Sequence, residues 1–132
     1  MPEYLCAAEL IDLARRAETA SPAACACTKT SLVGWQSQPV SLDEAQLREI
    51  ATLLPPDDPE PSFAEYLPGK VKYWSPDAPI APRYFPYNRC GIWECRHCGR
   101  LYLRYTEGGG YFVDRRIRAL DSALIEDVPI QD

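Results

Sequence analysis

Apolar side chains recur at helical spacing in two stretches of the chain and at strand spacing in its last third. Over residues 3–18, Leu5, Ala8, Ile11, Leu13 and Ala14 gather near one side, while Glu9, Asp12, Arg15 and Arg16 take another. This pattern predicts an amphipathic opening helix, broken by Ser21-Pro22. From Ser41 to Leu54, the spacing of Leu47, Ile50, Ala51 and Leu54 predicts a second helix, with Ser41 and Glu44 placed as a capping box. Pro55-Pro56 ends it, because proline lacks an amide hydrogen and disfavours helical backbone in the residue before it. The period then changes. After Gly99, Leu101, Leu103 and Tyr105 alternate with Tyr102 and Arg104, Gly108-Gly109-Gly110 supplies permissive backbone, and Tyr111 to Ile117 alternate again. That is the signature of a hairpin. With the run Gly91-Ile92-Trp93-Glu94 it predicts a three-stranded antiparallel sheet.

Proline punctuates the middle of the chain. Pro55 to Pro61 is a stiff acidic connector, Ser62 is placed to cap a short helix through Tyr66, and Val71-Lys72-Tyr73-Trp74 has the composition of a short strand. Residues 76–87 mix repeated prolines with Tyr84, Phe85 and Tyr87, whose rings need burial, so this stretch is expected to be extended and ordered. The expected fold class is α+β, with two or three helices packed on a small antiparallel sheet. At 132 residues the chain suits a single domain, 1–132. Its parts are helical from 1 to 68, a proline and aromatic connector from 69 to 89, and a β-hairpin part from 90 to 132.

Charge is distributed unevenly. Residues 1–82 carry 6 basic and 12 acidic side chains, residues 83–118 carry 8 and 3, and residues 119–132 carry 0 and 4. The eight basic residues of the middle block are all arginine: Arg83, Arg89, Arg96, Arg100, Arg104, Arg115, Arg116 and Arg118. Arginine offers a rigid fork to carboxylates and phosphates, so such a block either meets a partner or pairs with the acidic segments of its own chain. The start, Met1-Pro2-Glu3-Tyr4, has no basic region followed by an apolar run, and no stretch approaches the roughly 18 apolar residues of a membrane span. The expectation is a cytoplasmic protein without membrane association.

In a reducing compartment, six cysteines suggest metal ligands and buried thiols more than disulfides. Cys25-Ala-Cys27 and Cys95-Arg-His-Cys98-Gly99 form two clamps, each offering two sulfurs from one tight turn, as a four-coordinate metal requires. Cys25, Cys27, Cys95 and Cys98 are therefore the candidate ligands of a structural Zn2+. Cys90 is a candidate substitute for one N-terminal cysteine, and His97, between the two sulfurs of its clamp, is a weaker candidate. Cys6 has the position of an inert buried thiol. The segment Trp93-Glu94-Cys95-Arg96-His97-Cys98-Gly99-Arg100-Leu101-Tyr102 resembles the knuckle strands of zinc-ribbon proteins. The resemblance covers these ten residues, and the shorter Cys-x-Cys spacing of the other clamp departs from it.

A site filled by four sulfurs has no open position for an activated water. The deaminase pattern of a glutamate beside the upstream ligand is missing at Cys25 and Cys27, haem attachment needs histidine where Gly99 stands, and the glycine triplet lacks the lysine of a phosphate loop. The chain is therefore expected not to be an enzyme. The leading expectation is a zinc-stabilised protein-binding module presenting Tyr102, Arg104, Tyr105, Tyr111, Phe112, Arg115 and Arg116, residue types enriched in interfaces. In general character the chain is similar to small acidic bacterial immunity proteins and antitoxins, which implies inhibition of a partner toxin or enzyme. Two alternatives stand beside it. One is nucleic-acid binding through the same arginines and rings, as in many zinc ribbons, against which the pI near 4.9 argues. The other is a thiol–disulfide oxidoreductase using Cys95 and Cys98, because Cys-x-His-Cys resembles the centre of thioredoxin-fold enzymes.

Overall fold

A computed structural model describes residues 3–20, 32, 34–39, 42, 44–58, 61–96, 98–108 and 113–129. Within them the fold is α+β. Strand β1 (Glu3–Tyr4) leads into helix α1 (Ala7–Ala20), followed by β2 (Gln36–Ser37), β3 (Leu47–Thr52), β4 (Gly91–Cys95), β5 (Leu101–Gly108) and β6 (Val113–Ala119). These strands form one six-stranded sheet in the order β1-β3-β4-β5-β6-β2. The β1–β3 pair is parallel and the others are antiparallel.

The expected hairpin is the middle of this sheet. β4 pairs with β5 through Ile92↔Leu103 and Trp93↔Tyr102, and β5 pairs with β6 through Tyr102↔Ala119 and Arg104↔Ile117. Because successive side chains point to opposite faces, this register sorts the strands into two clusters. Ile92, Leu101, Leu103 and Tyr105 belong to the larger one, with Leu10 and Ala14 of α1, Trp35, Ala51, Leu53, Ile80 and Tyr87. Cys95, Tyr102 and Ile117 face the other way and pack with Leu32, Leu42 and Leu47.

α1 begins where its first free amides find a partner: the Glu9 carboxylate accepts from the Cys6 N–H at 3.0 Å. Those hydrogen bonds hold the Glu9 carboxyl below its ordinary pKa. The buried stripe is Ala7, Leu10 and Ala14, with Ile11, Leu13 and Ala17 packed beside it. It is therefore rotated from the expected one: Leu5 enters the core from the turn before the helix, Ala8 is exposed, and Cys6 is exposed instead of buried.

Three further expectations are corrected. The helix expected over residues 41–54 is not formed by the described part, 44–54; Glu44–Gln46 is one 3-10 turn and Leu47–Thr52 is a strand. Cross-strand pairing decides this, because Leu47↔Cys95, Arg48↔Glu94 and Ala51↔Ile92 gain a ladder and a buried face that a lone helix lacks. The fold accordingly holds one α-helix among the described residues, not two or three, and its sheet is mixed and six-stranded. Neither the short helix after Ser62 nor the strand at Val71–Trp74 forms; both stretches are turns and extended backbone.

The connector buries its rings as expected but is not extended: it runs through turns into a 3-10 turn at Tyr87–Arg89. Ala78, Ile80, Ala81, Tyr84 and Tyr87 are buried. Ile80 exchanges backbone hydrogen bonds with the C-terminal segment, accepting from Glu126 at 2.9 Å and donating to Leu124 at 2.8 Å. Trp35 anchors the aromatic cluster beneath it, stacked on Tyr73 with centroids 6.1 Å apart and edge-on to Tyr105 at 4.9 Å. No helix among the described residues is long and apolar enough to cross a membrane.

Candidate functional site

One half of the proposed metal site is on view. Cys95 ends β4 and Cys98 lies in the turn before β5. The turn closes with the Gly99 N–H donating to the Cys95 carbonyl at 2.8 Å and the Arg100 N–H donating to Cys98 Sγ at 3.4 Å. Gly99 has φ +79°, a left-handed conformation that a side chain would strain. An amide aimed at sulfur and a glycine turning the chain away are the features that make a knuckle hospitable to thiolates. Cys95 is buried and Cys98 half-buried, both in the smaller cluster.

The other half, Cys25 and Cys27, lies outside the described residues, as does His97. Among the described residues no three His, Cys, Asp or Glu side chains group as a metal site. Cys90 is not a substitute ligand. It is fully buried in the larger cluster, where its thiol donates to the Pro86 carbonyl at 3.2 Å, and burial pushes its pKa well up. The oxidoreductase alternative depends on a helix after the first cysteine, whereas the residues following Cys98 lead into β5.

The seven expected partner-binding residues do not share one face. Tyr102 is fully buried between the two neighbouring strands, and Tyr105 is buried in the aromatic cluster; neither ring is open to a partner. Arg116, opposite Tyr105 in the register, points to the helix side, where it pairs with Asp114 at 3.1 Å and donates to the Tyr73 hydroxyl at 3.3 Å. Tyr111 and Phe112 lie outside the described residues. Arg104 and Arg115 remain, and the sheet brings them together on its opposite face.

There they border a groove of about 580 Å3, which is also lined by Glu44, Glu49, Arg89, Gly91 and Trp93 and, along β5, by Tyr105 and Thr106. Its floor is built by β4. Trp93 and Gly91 share a face, and the Arg104 guanidinium stacks on the Trp93 ring at 4.4 Å from its centroid. Gly91 lets the Glu49 carboxylate and Trp93 Nε1 come close over the strand: a methyl group there would push the Glu49 carboxylate aside and press on Trp93 Nε1. One wall is Glu44. Its Oε1 accepts from Arg104 Nη2 at 2.7 Å, from Arg115 Nη1 and from Gln38 Nε2 at 3.3 Å. The Arg115 hydrogen bond chiefly, then that of Gln38, holds the Glu44 carboxyl below its ordinary pKa. Burial acts oppositely on Arg104, pulling its guanidinium pKa down, while Glu44 raises it.

Most of the arginine block is engaged within the chain. Arg83 pairs with Asp127 at 3.2 Å, Arg89 donates to the Pro61 carbonyl at 2.8 Å, and Arg104, Arg115 and Arg116 meet the carboxylates already named. Arg118, 1% exposed, donates to the Tyr87 hydroxyl and the Ala78 carbonyl, each at 2.6 Å. Nothing in spacing alone marked Trp93, Glu44, Glu49 and Gly91 as site residues. For Trp93 the signal that could have found it is strand parity, since it and Ile92 must face opposite ways in β4.

Comparison with protein-family models, curated proteins and solved structures finds no match to this chain.

Proposed function

We propose that this chain is a non-catalytic protein-binding module of the cytoplasm, whose groove beside β4 and β5 receives a partner protein and whose knuckle end is held by zinc. The observation that carries this reading is the meeting of Arg104, Arg115 and Trp93 in one groove, since arginine and tryptophan are the side chains that most often dominate protein interfaces. The internal pairing of the arginine block favours a protein over nucleic acid. A guanidinium already matched to a carboxylate neutralises a phosphate less fully and so displaces fewer of the counterions condensed on a nucleic acid, while the net charge of -5 repels its backbone.

Zinc enters through Cys95 and Cys98, with Cys25 and Cys27 as the remaining ligands. Leu32 packs in the same cluster as Cys95 and Cys98. Cys27 precedes Leu32 by five residues of sequence, and five residues reach at most about 18 Å, a length that permits the first clamp to meet the second.

The small acidic character fits an inhibitor of the immunity type, and the product of a neighbouring toxin gene is the first partner to mix with it. A stoichiometric complex that survives raised salt is expected on size exclusion with light scattering, weakened at least about tenfold by W93A. Salt-sensitive binding of single-stranded DNA or RNA, with no protein complex, would overturn the reading.

A further inference from the structure

Glu44 holds its place in the groove lightly. The turn that carries it, Glu44–Gln46, contributes no buried side chain, and the Glu44 side chain is 47% exposed. Its partner differs sharply. The Arg104 side chain is only 9% exposed, sits over the Trp93 ring and, among the described residues, forms its ion pair with Glu44. A guanidinium so largely buried cannot shed its acceptor without cost, but it can exchange one carboxylate for another at little net change.

Charge sets the class of incoming group. Two guanidiniums, Arg104 and Arg115, share one Glu44 oxygen, so the pair carries one positive charge beyond what Glu44 neutralises and, among the described residues, keeps N–H donors in reserve. Glu49 stands on the same floor beside Gly91 and disfavours a densely charged polyphosphate. A single planar carboxylate matches the fork of arginine, and the Trp93 ring beside it offers apolar surface to the neighbouring residue of the same segment.

We infer that Glu44 is an internal stand-in for a carboxylate of the partner, and that the groove binds an Asp- or Glu-bearing protein segment by exchanging that side chain for Glu44 on Arg104 and Arg115. This rests on the protein-binding reading given above and specifies its chemistry. Glu44 then acts as a built-in competitor. It keeps the arginines matched while the groove is empty and sets a threshold that weakly acidic segments do not pass.

The test uses the full chain and a blocked peptide, acetyl-Leu-Glu-Glu-Leu-amide, followed through the Trp93 indole N–H resonance. E44A, which removes the competitor, is expected to lower the half-saturating peptide concentration at least about tenfold, and E44Q, which keeps the size but not the charge, several-fold. Adding R115A to E44A should reverse most of that gain; Arg115 is exposed, so its loss leaves the fold intact. The same peptide with glutamine for glutamate should not bind.

Equal binding to E44A and the unsubstituted chain overturns the inference, as does equal binding of the glutamine peptide. So does a response to inorganic phosphate or oligothymidylate matching that to the peptide. The two proposals fail separately. A native partner complex that forms without any gain in E44A sinks the exchange alone, whereas a gain in E44A with no native protein partner sinks the module reading.

Discussion

Tyr87 shows how single residues link the core to pH. Its hydroxyl takes hydrogen bonds from Arg118 at 2.6 Å and from Trp35 Nε1 at 3.1 Å, deep in the larger cluster. Burial is the main cause that pushes its pKa up to about 12 from 10.0, with Arg118 pulling the other way. Cys90, four residues from Pro86 and fully buried, is shifted upward by burial as well. In both, the neutral form is the one the folded chain favours. The unfolded chain therefore ionises first, and stability that is complete below pH 9 declines as pH rises through the interval between the unfolded and folded values. For Tyr87 that interval runs from 10.0 to about 12, with a loss of about 1.4 kcal/mol per pH unit. Urea unfolding between pH 8 and pH 11 measures it. Y87F is expected to be less stable at pH 8, because Arg118 loses an acceptor, yet to show a shallower alkaline decline; an unchanged slope would remove Tyr87 as its source.

The strands are the scale at which sequence and structure part. β5 and β6 were legible because period-two alternation is a local signal: Leu101, Leu103 and Tyr105 against Tyr102 and Arg104 reads the same in isolation as in the sheet. β3 was not. Ser41 and Glu44 imitate a capping box and Leu47, Ile50, Ala51 and Leu54 imitate a helical stripe, but the structure buries Leu47, Ala51 and Leu53 and leaves Leu54 exposed. What decides is β4, about forty residues further on, and no window of local sequence contains that pairing. The groove was illegible for the same reason, since Glu44, Trp93 and Arg104 meet only across two strands and a turn. A charge swap tests the register. Arg48 faces Glu94 across the ladder at 2.8 Å, an interaction a helix over 41–54 has no reason to make. R48E is expected to cost about 0.5 to 1 kcal/mol in urea unfolding, and R48E with E94R to recover most of it. Additive losses in the double variant would reject the strand.

At the scale of the molecule, the two faces of the sheet are unequally secured. Among the described residues, the helix side has α1, the connector and fifteen buried cluster residues, whereas the face that carries the knuckle has six. Those six include Cys95, and beside them Cys98 is only partly covered. A metal bound there would close this end by joining the β4–β5 turn to the segment before Leu32. Metal binding free energy would then become local folding free energy. One zinc per chain is the expected elemental result for protein purified without a tag, with loss of the metal in C98S. Hydrogen exchange gives the sharper test, because the two clusters respond differently. Chelation should release the Arg100 amide and the amides of Trp93 and Tyr102 first, while the amides around Leu10 and Ile80, held by the helix side, exchange at unchanged rates. The groove should loosen with the knuckle, since Trp93 lies two residues from Cys95 on the same face of β4, so chelation should also weaken the glutamyl peptide. Stoichiometric absence of zinc, or exchange rates indifferent to chelator at both ends, would show that the smaller cluster holds this face without metal.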